Sequence, residues 1–255
     1  MRLWIIAIWK TLPRSWVIVL LPFVLLVSVF GGWYLFGGLF IKPPNLSEIH
    51  YTDELERLLP KAEKGDKQAQ YQVGVIYRDG LAGTKNINLS ARWFEKAVKL
   101  GHPPAQYALG RAYALGEGVV QNFGRAAELY QKAAVFARHA ASEFALGQLY
   151  FQGKGVLQDY KQALTWYQKA ALRNHAGAQA VMGSMYAKGF GIDQNFTEAY
   201  VWYSLAAAQP KKTARFGLAL NLTEALADAK AKLNRLDLKQ GNQKLKSIRK
   251  KLKLK

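Results

Sequence analysis

Two kinds of apolar patterning divide this chain. From Ser15 through Ile41 there are 27 residues without a charged side chain. Beyond residue 53 the apolar residues recur instead at three- and four-residue steps, the spacing of helices that bury one face. The first pattern predicts a single membrane-crossing helix over 15–41, because about 20 apolar residues span a ~30 Å hydrocarbon layer. Trp16, Trp33 and Tyr34 suit the two interfaces. A cleaved signal peptide has a shorter apolar stretch and a small-residue cleavage site after it, and no clean Ala-x-Ala follows here.

The second pattern is an internal repeat. Gly74, Gly110, Gly147 and Gly183 recur at spacings of 36, 37 and 36. Tyr77, Tyr113, Tyr150 and Tyr186 follow them in phase, and then Gly80, Gly116, Gly153 and Gly189. Asn86, Asn122, Asp159 and Asn195 make the next column. Trp93, Leu129, Trp166 and Trp202 come after it, each trailed by Phe94, Tyr130, Tyr167 or Tyr203, and Ala97, Ala133, Ala170 and Ala206 close the units.

Each column has a physical role in a pair of helices. Val73, Leu109, Leu146 and Met182, with the tyrosine four residues on, form a helical apolar stripe. The small glycine between them lets a second helix approach. The next glycines sit where the first helix should stop in the left-handed conformation. The Asn/Asp column supplies an N-cap for the second helix, and Asn195 with Glu198 has capping-box spacing. Nothing reads as a strand, and the fold class is all-α.

This pattern resembles the Sel-one-like repeat family, a relative of the tetratricopeptide repeats. The resemblance rests on Ala-Gln-Tyr-Ala-Leu-Gly-x-x-Tyr-x-x-Gly-x-Gly-Val at 105–119 and on Asp-Tyr-Lys-Gln-Ala-Leu-Thr-Trp-Tyr-Gln-Lys-Ala-Ala at 159–171. The first unit departs from it, with Gly83 in place of a glycine at 82 and Ser90 in an alanine column. The resemblance implies a right-handed α-α superhelix used as an interaction scaffold. The expected organisation is an interfacial N-terminus at 1–14, the transmembrane helix at 15–41, a linker at 42–53, an N-terminal capping helix at 54–67 and four repeats at 68–212. Closing helices at 213–236 follow, with Thr223 as an N-cap, and then a basic tail at 237–255.

Charge refines this picture. The net +19 is uneven: residues 230–255 carry eleven basic residues against Asp237, whereas residues 43–229 carry 21 basic and 16 acidic. The basic excess belongs to a tail, which weakens a nucleic-acid reading of the body. Arg2, Lys10 and Arg14 precede the apolar run, while Glu48, Asp53, Glu54 and Glu56 follow soon after Lys42. The positive-inside bias places the N-terminus in the cytoplasm and the repeats across the inner membrane, in the periplasm of a Gram-negative cell.

Candidate chemistry is sparse. The chain has no cysteine, which excludes a disulfide framework and a thiolate metal site. His102, His139 and His175 occupy corresponding turns, a repeat width of order 10 Å apart, too far to share one ion, and read as turn residues. No carboxylate pair stands out and the Gly-x-Gly turns lack a phosphate-loop lysine, so no enzyme, cofactor, metal or small-molecule substrate is expected. The expectation is a membrane-anchored adaptor that binds a protein partner. Alternatives are a binding regulator of a cell-wall or envelope enzyme, and polyanion or nucleic-acid binding through the tail.

The first helices should line the concave side, as tetratricopeptide geometry implies. Positions offset from their core stripe share another face: Tyr71, Val75 and Arg78; Tyr107 and Arg111; Phe144, Gln148 and Phe151; and Ser184. Aromatics with arginines favour interface hot spots, although the three rings at 71, 107 and 144 also suit packing between hairpins. In the tail, Leu245, Ile248 and Leu252 make an apolar stripe beyond Gly241, with Lys244, Lys246, Arg249, Lys250, Lys251 and Lys253 around it. That composition suits an anionic membrane or an acidic partner, or a solvated disordered tail.

Overall fold

The computed structural model describes residues 34–36, 39–41, 46–83, 85–209 and 222–253. The chain divides into two compact units, Met1–Asp53 and Glu54–Lys255. In the first, β1 (Tyr34–Phe36) and β2 (Leu39–Ile41) pair antiparallel, with Tyr34 opposite Ile41 and Phe36 opposite Leu39. This corrects the expectation of one helix over 15–41. The strands flank Gly37 and Gly38 in the sequence, and Gly-Gly pairs between short aromatic and β-branched runs favour a two-residue hairpin. Residues 15–33, like the interfacial segment at 1–14, lie outside the described residues. Among the described residues no helix is long and apolar enough to cross a membrane.

Helix α1 (Leu46–Glu63) begins within the segment expected to be a linker. Tyr51, Leu55, Leu58 and Ala62 continue one helical stripe back past residue 54. Four helical hairpins follow: α2 (Lys67–Asp79) with α3 (Ile87–Lys99), α4 (Pro103–Leu115) with α5 (Phe123–Ala137), α6 (Ala140–Gln152) with α7 (Tyr160–Leu172), and α8 (Ala176–Lys188) with α9 (Phe196–Ala207). The two helices of each hairpin pack on one another, and each of the first three second helices packs on the first helix of the next hairpin, which makes a repeat solenoid.

The stripe residues Val73, Leu109, Leu146 and Met182 are buried. The glycine after each is filled by the ring facing it: a Cβ on Gly74 would meet Phe94 at 2.5 Å, and one on Gly147 would meet Tyr167 at 2.8 Å. First helices end at Gly80, Gly116, Gly153 and Gly189, all left-handed, and second helices begin at Asn86, Asn122, Asp159 and Asn195, whose side chains accept backbone N–H bonds. The spacing of 37 has a local cause. Helix α5 runs 15 residues where α3 and α7 run 13, and Arg138 takes a left-handed φ of 52° to turn the chain.

Helix α10 (Leu222–Ala231) and helix α11 (Arg235–Lys251) both lie against α9. Thr223 falls inside the first turn of α10 rather than at its cap. The basic segment is neither a free tail nor broken at Gly241: α11 runs through that glycine, started by Asn234, whose side chain accepts from the Leu236 and Asp237 amides. Gly241 is buried because it faces the Tyr200 ring, which a Cβ would approach to 3.1 Å. Ile248, with Leu245 and Leu252 beside it, joins the core formed by Val201, Trp202 and Leu205.

Candidate partner-binding surface

The first-helix face is built from columns that the repeat places in line. Tyr71 lies tilted between Phe94 of its own hairpin (5.8 Å) and His102 of the next (5.0 Å). Tyr107 lies likewise between Tyr130 (5.8 Å) and His139 (5.2 Å), and Phe144 between Tyr167 (5.6 Å) and His175 (4.5 Å). These three rings therefore pack between neighbouring hairpins. Phe144 is 5% exposed, which corrects its assignment to an open face. Tyr71 and Tyr107 keep part of their surface, and burial raises the Tyr107 hydroxyl pKa above its ordinary value against the opposing pull of Arg111.

The histidines cap helices. Nδ1 of His102 accepts from the Ala105 amide at 3.2 Å, that of His139 from Ser142 at 3.3 Å and that of His175 from Ala178 at 3.1 Å. Accepting at Nδ1 requires neutral imidazole, and a cation there would face the positive end of the helix dipole. Burial lowers the pKa of all three, His175 to about 4; Lys67 adds to the shift at His102. Asp66 holds the same place in the first hairpin, accepting from Gln68 and Ala69 at 2.9 Å. Among the described residues no group of three or more His, Cys, Asp or Glu is placed to hold a metal ion.

Beside the rings run two columns that stay partly open in every hairpin: Val75, Arg111, Gln148 and Ser184, and Arg78, Ala114, Phe151 and Ala187. Arg78 forms a two-pronged pair with Asp79 at 2.7 and 2.8 Å, which holds that carboxyl below its usual range. Arg111 lies 4.0 Å from Glu117, and the four charges balance. The space lined by Arg78, Arg111, Phe94 and Ala108 is about 10 Å³, roughly one water. Phe151 joins Tyr160 (5.0 Å) and Phe190 (5.8 Å) in a three-ring cluster, and burial raises the Tyr203 hydroxyl pKa against an opposing pull from Ser184.

Two features carry no obvious sequence signal. Buried Gln70 and Gln179 each donate to the carbonyl of the preceding helix end, Ala62 at 2.9 Å and Ala171 at 3.2 Å. Glu143 holds that position in the third hairpin, cannot donate, and takes both its oxygens to Arg173 Nε at 3.0 and 3.1 Å. In α11, Lys244 is committed to Glu198, whose side chain does not complete the expected capping box, and Arg249 is partly buried. Lys246, Lys250, Lys251 and Lys253 remain exposed.

Sel1 repeat models match residues 67–102, 103–134, 140–175 and 176–210. A crystal structure of a Sel1 repeat protein from Oxalobacter formigenes is similar at 27% identity and a TM-score of 0.59, covering 80% of this chain and 83% of that one. A protective antigen of uropathogenic Escherichia coli strains displaying an SLR fold matches at 37% identity and a TM-score of 0.59, over 61% of this chain and 33% of its own. An ERAD-associated E3 ubiquitin-protein ligase component of Arabidopsis thaliana is 37% identical over 67 residues, 26% of this chain and 10% of that protein. Chitin synthase regulatory factor 3 of Schizosaccharomyces pombe is 36% identical over 86 residues, 31% and 9% respectively. The chain thus spans about a tenth of the length of these curated relatives. With four matched units covering more than half of its length, the chain belongs to the Sel1 repeat family.

Proposed function

We propose that this protein is a single-pass, membrane-anchored scaffold, without chemistry of its own, that holds a protein partner against the first-helix face of its hairpin stack. One observation carries the reading. The columns Val75–Arg111–Gln148–Ser184 and Arg78–Ala114–Phe151–Ala187 stay accessible through four successive hairpins while the stripe beside them is buried. A strip that repeats in step with the fold offers an extended segment one contact per hairpin, the way solenoids bind. Its cations and aromatic ring are residue types that anchor interfaces. Two relatives bear names that describe a ligase component and a regulatory factor, consistent with action through another protein.

The anchor is proposed for 15–33, where 19 uncharged residues still suffice to span a ~30 Å layer. The basic residues before it favour a cytoplasmic N-terminus and a periplasmic solenoid. A photoreactive residue at Gln148 in intact membranes should capture one partner. The double change Arg78→Glu with Arg111→Glu should reduce that capture at least tenfold, whereas Arg92→Glu, exposed on a second helix, should not. Undiminished capture by the double variant removes the binding face. Release of the intact chain by alkaline carbonate removes the anchor, and a reporter at residue 255 active only in the cytoplasm removes the orientation.

A further inference from the structure

Helix α11 is amphipathic, but its apolar side is already used. Leu245, Ile248 and Leu252 pack into the core of the last hairpin, Gly241 sits against Tyr200, and the Tyr200 hydroxyl donates to Asn242 at 2.9 Å. An amphipathic helix that inserts into a bilayer needs that side free. Beyond exposed Leu236 in its first turn, what α11 presents outward is charge. Residues 235–253 hold eight basic side chains and one acid, Asp237. At about 100° per residue, Arg235, Lys239, Lys246 and Lys250 fall within about 60° of one another, on the side away from Gly241 and Ile248. All four are exposed, and exposed Lys253 extends the row just past the helix end. Lys244, bound to Glu198, and the partly buried Arg249 lie off this row. The row is rigid because the helix beneath it is docked at three levels.

We infer that this row is a docking surface for an anionic lipid bilayer, one that adsorbs flat without inserting. A plane of negative headgroups matches a straight row of cations about four turns long, and each lysine keeps its mobile stem to reach a phosphate. The inference builds on the anchored reading, since an anchored chain keeps the row near lipid, but the adsorption needs only the row. It separates two mechanisms that the amphipathic sequence leaves together. Adsorption through charge alone is screened by salt and leaves the acyl region untouched; insertion through Leu245 and Ile248 would require α11 to leave the last hairpin.

The natural chain has no cysteine, so Gln243→Cys, an exposed position beside the row, makes a unique labelling site. The full chain carrying a fluorophore there is reconstituted into phosphatidylcholine vesicles with and without about 30% phosphatidylglycerol. Headgroup quenchers should act only with phosphatidylglycerol, the effect should vanish near 0.5 M salt, and acyl-chain quenchers should have none. Lys239→Glu, Lys246→Glu and Lys250→Glu together should weaken the association at least a hundredfold, at about fivefold per charge or more, whereas Lys251→Gln should change it less than tenfold. Equal quenching without anionic lipid, quenching from the acyl region, or tighter binding to a DNA duplex than to phosphatidylglycerol overturns the proposal. Co-flotation with pure phosphatidylcholine reports the anchor separately, so either reading can fail alone.

Discussion

In α2 and α3 the first helix is capped by Asp66, the alanine column holds Ser90, and Gly83 has open space around the place a Cβ would occupy. In the next three hairpins the caps are histidines packed against a ring of the hairpin before, the column holds Ala126, Ala163 and Ala199, and the second loop glycine is pressed onto the preceding second helix. A Cβ on Gly118 would lie 2.2 Å from the Ile87 carbonyl oxygen, one on Gly155 2.3 Å from Phe123 backbone and one on Gly191 2.6 Å from Tyr160 backbone. The helix-one glycine, the ring that faces it and the glycine that ends the helix recur in all four units. The difference lies mostly where one hairpin meets its predecessor, which shows which residues serve the hairpin and which serve the stack.

The loop glycines give the sharpest break of this comparison. Gly118→Ala drives a methyl into backbone that cannot step aside, at a φ of +76°, and should cost about 4 kcal/mol. Gly83→Ala meets nothing within 4 Å and should cost only the backbone strain, about 1 kcal/mol. Urea unfolding of the two variants checks the contrast, and equal losses would break it.

The caps give a smaller, pH-dependent effect. A histidine whose folded pKa is lowered binds its proton more readily in the unfolded chain, so its stabilisation is complete above 6.5 and lost as pH falls toward the folded value, about 4 at His175. That single site should remove on the order of 3 kcal/mol across this window. His175→Asn keeps a capping acceptor that does not titrate and should flatten part of the acid limb in a thermal-melt series. A limb unchanged by this substitution would show that the cap is not what titrates.

Smallest is the alanine column. Ser90 is buried, and its hydroxyl donates to the Gly74 carbonyl at 2.7 Å, which satisfies the polar group the first hairpin carries there. Ser90→Ala should change stability by less than about 1 kcal/mol, and Ala163→Ser, placed at 0% exposure in the third hairpin, should cost no more if the Gly147 carbonyl can accept in the same way. A large loss from Ser90→Ala would mean that the hydroxyl does more than replace a methyl.

Four units of one motif make the hairpins legible, because Gly74, Gly110, Gly147 and Gly183 face the same kind of ring and leave the same trace. The departures of the first unit were visible as mismatches at Gly83 and Ser90. Other features could not be read off. Histidine is not among the preferred N-cap residues, so a column of three reads in the sequence as turn residues. Tyr71, Tyr107 and Phe144 stand off the core stripe of their own helix, and single-helix geometry does not reveal that a histidine of the next hairpin closes over each ring. The stripe of α11 has the same period whether it meets lipid or protein, and only tertiary contact with Val201 and Leu205 decides. At 34–41 an uncharged run suited a helix, yet the strand-prone triplets around Gly37 and Gly38 pair as β1 and β2.

Both the capped solenoid and the outward row of cations follow from the docking of α11 onto the stack. Amide hydrogen exchange on the full chain tests it directly. Amides of 238–249 should be protected with those of α9, about a thousandfold or more over an unstructured segment. Exchange of 238–249 within seconds, while α9 stays protected, would contradict it.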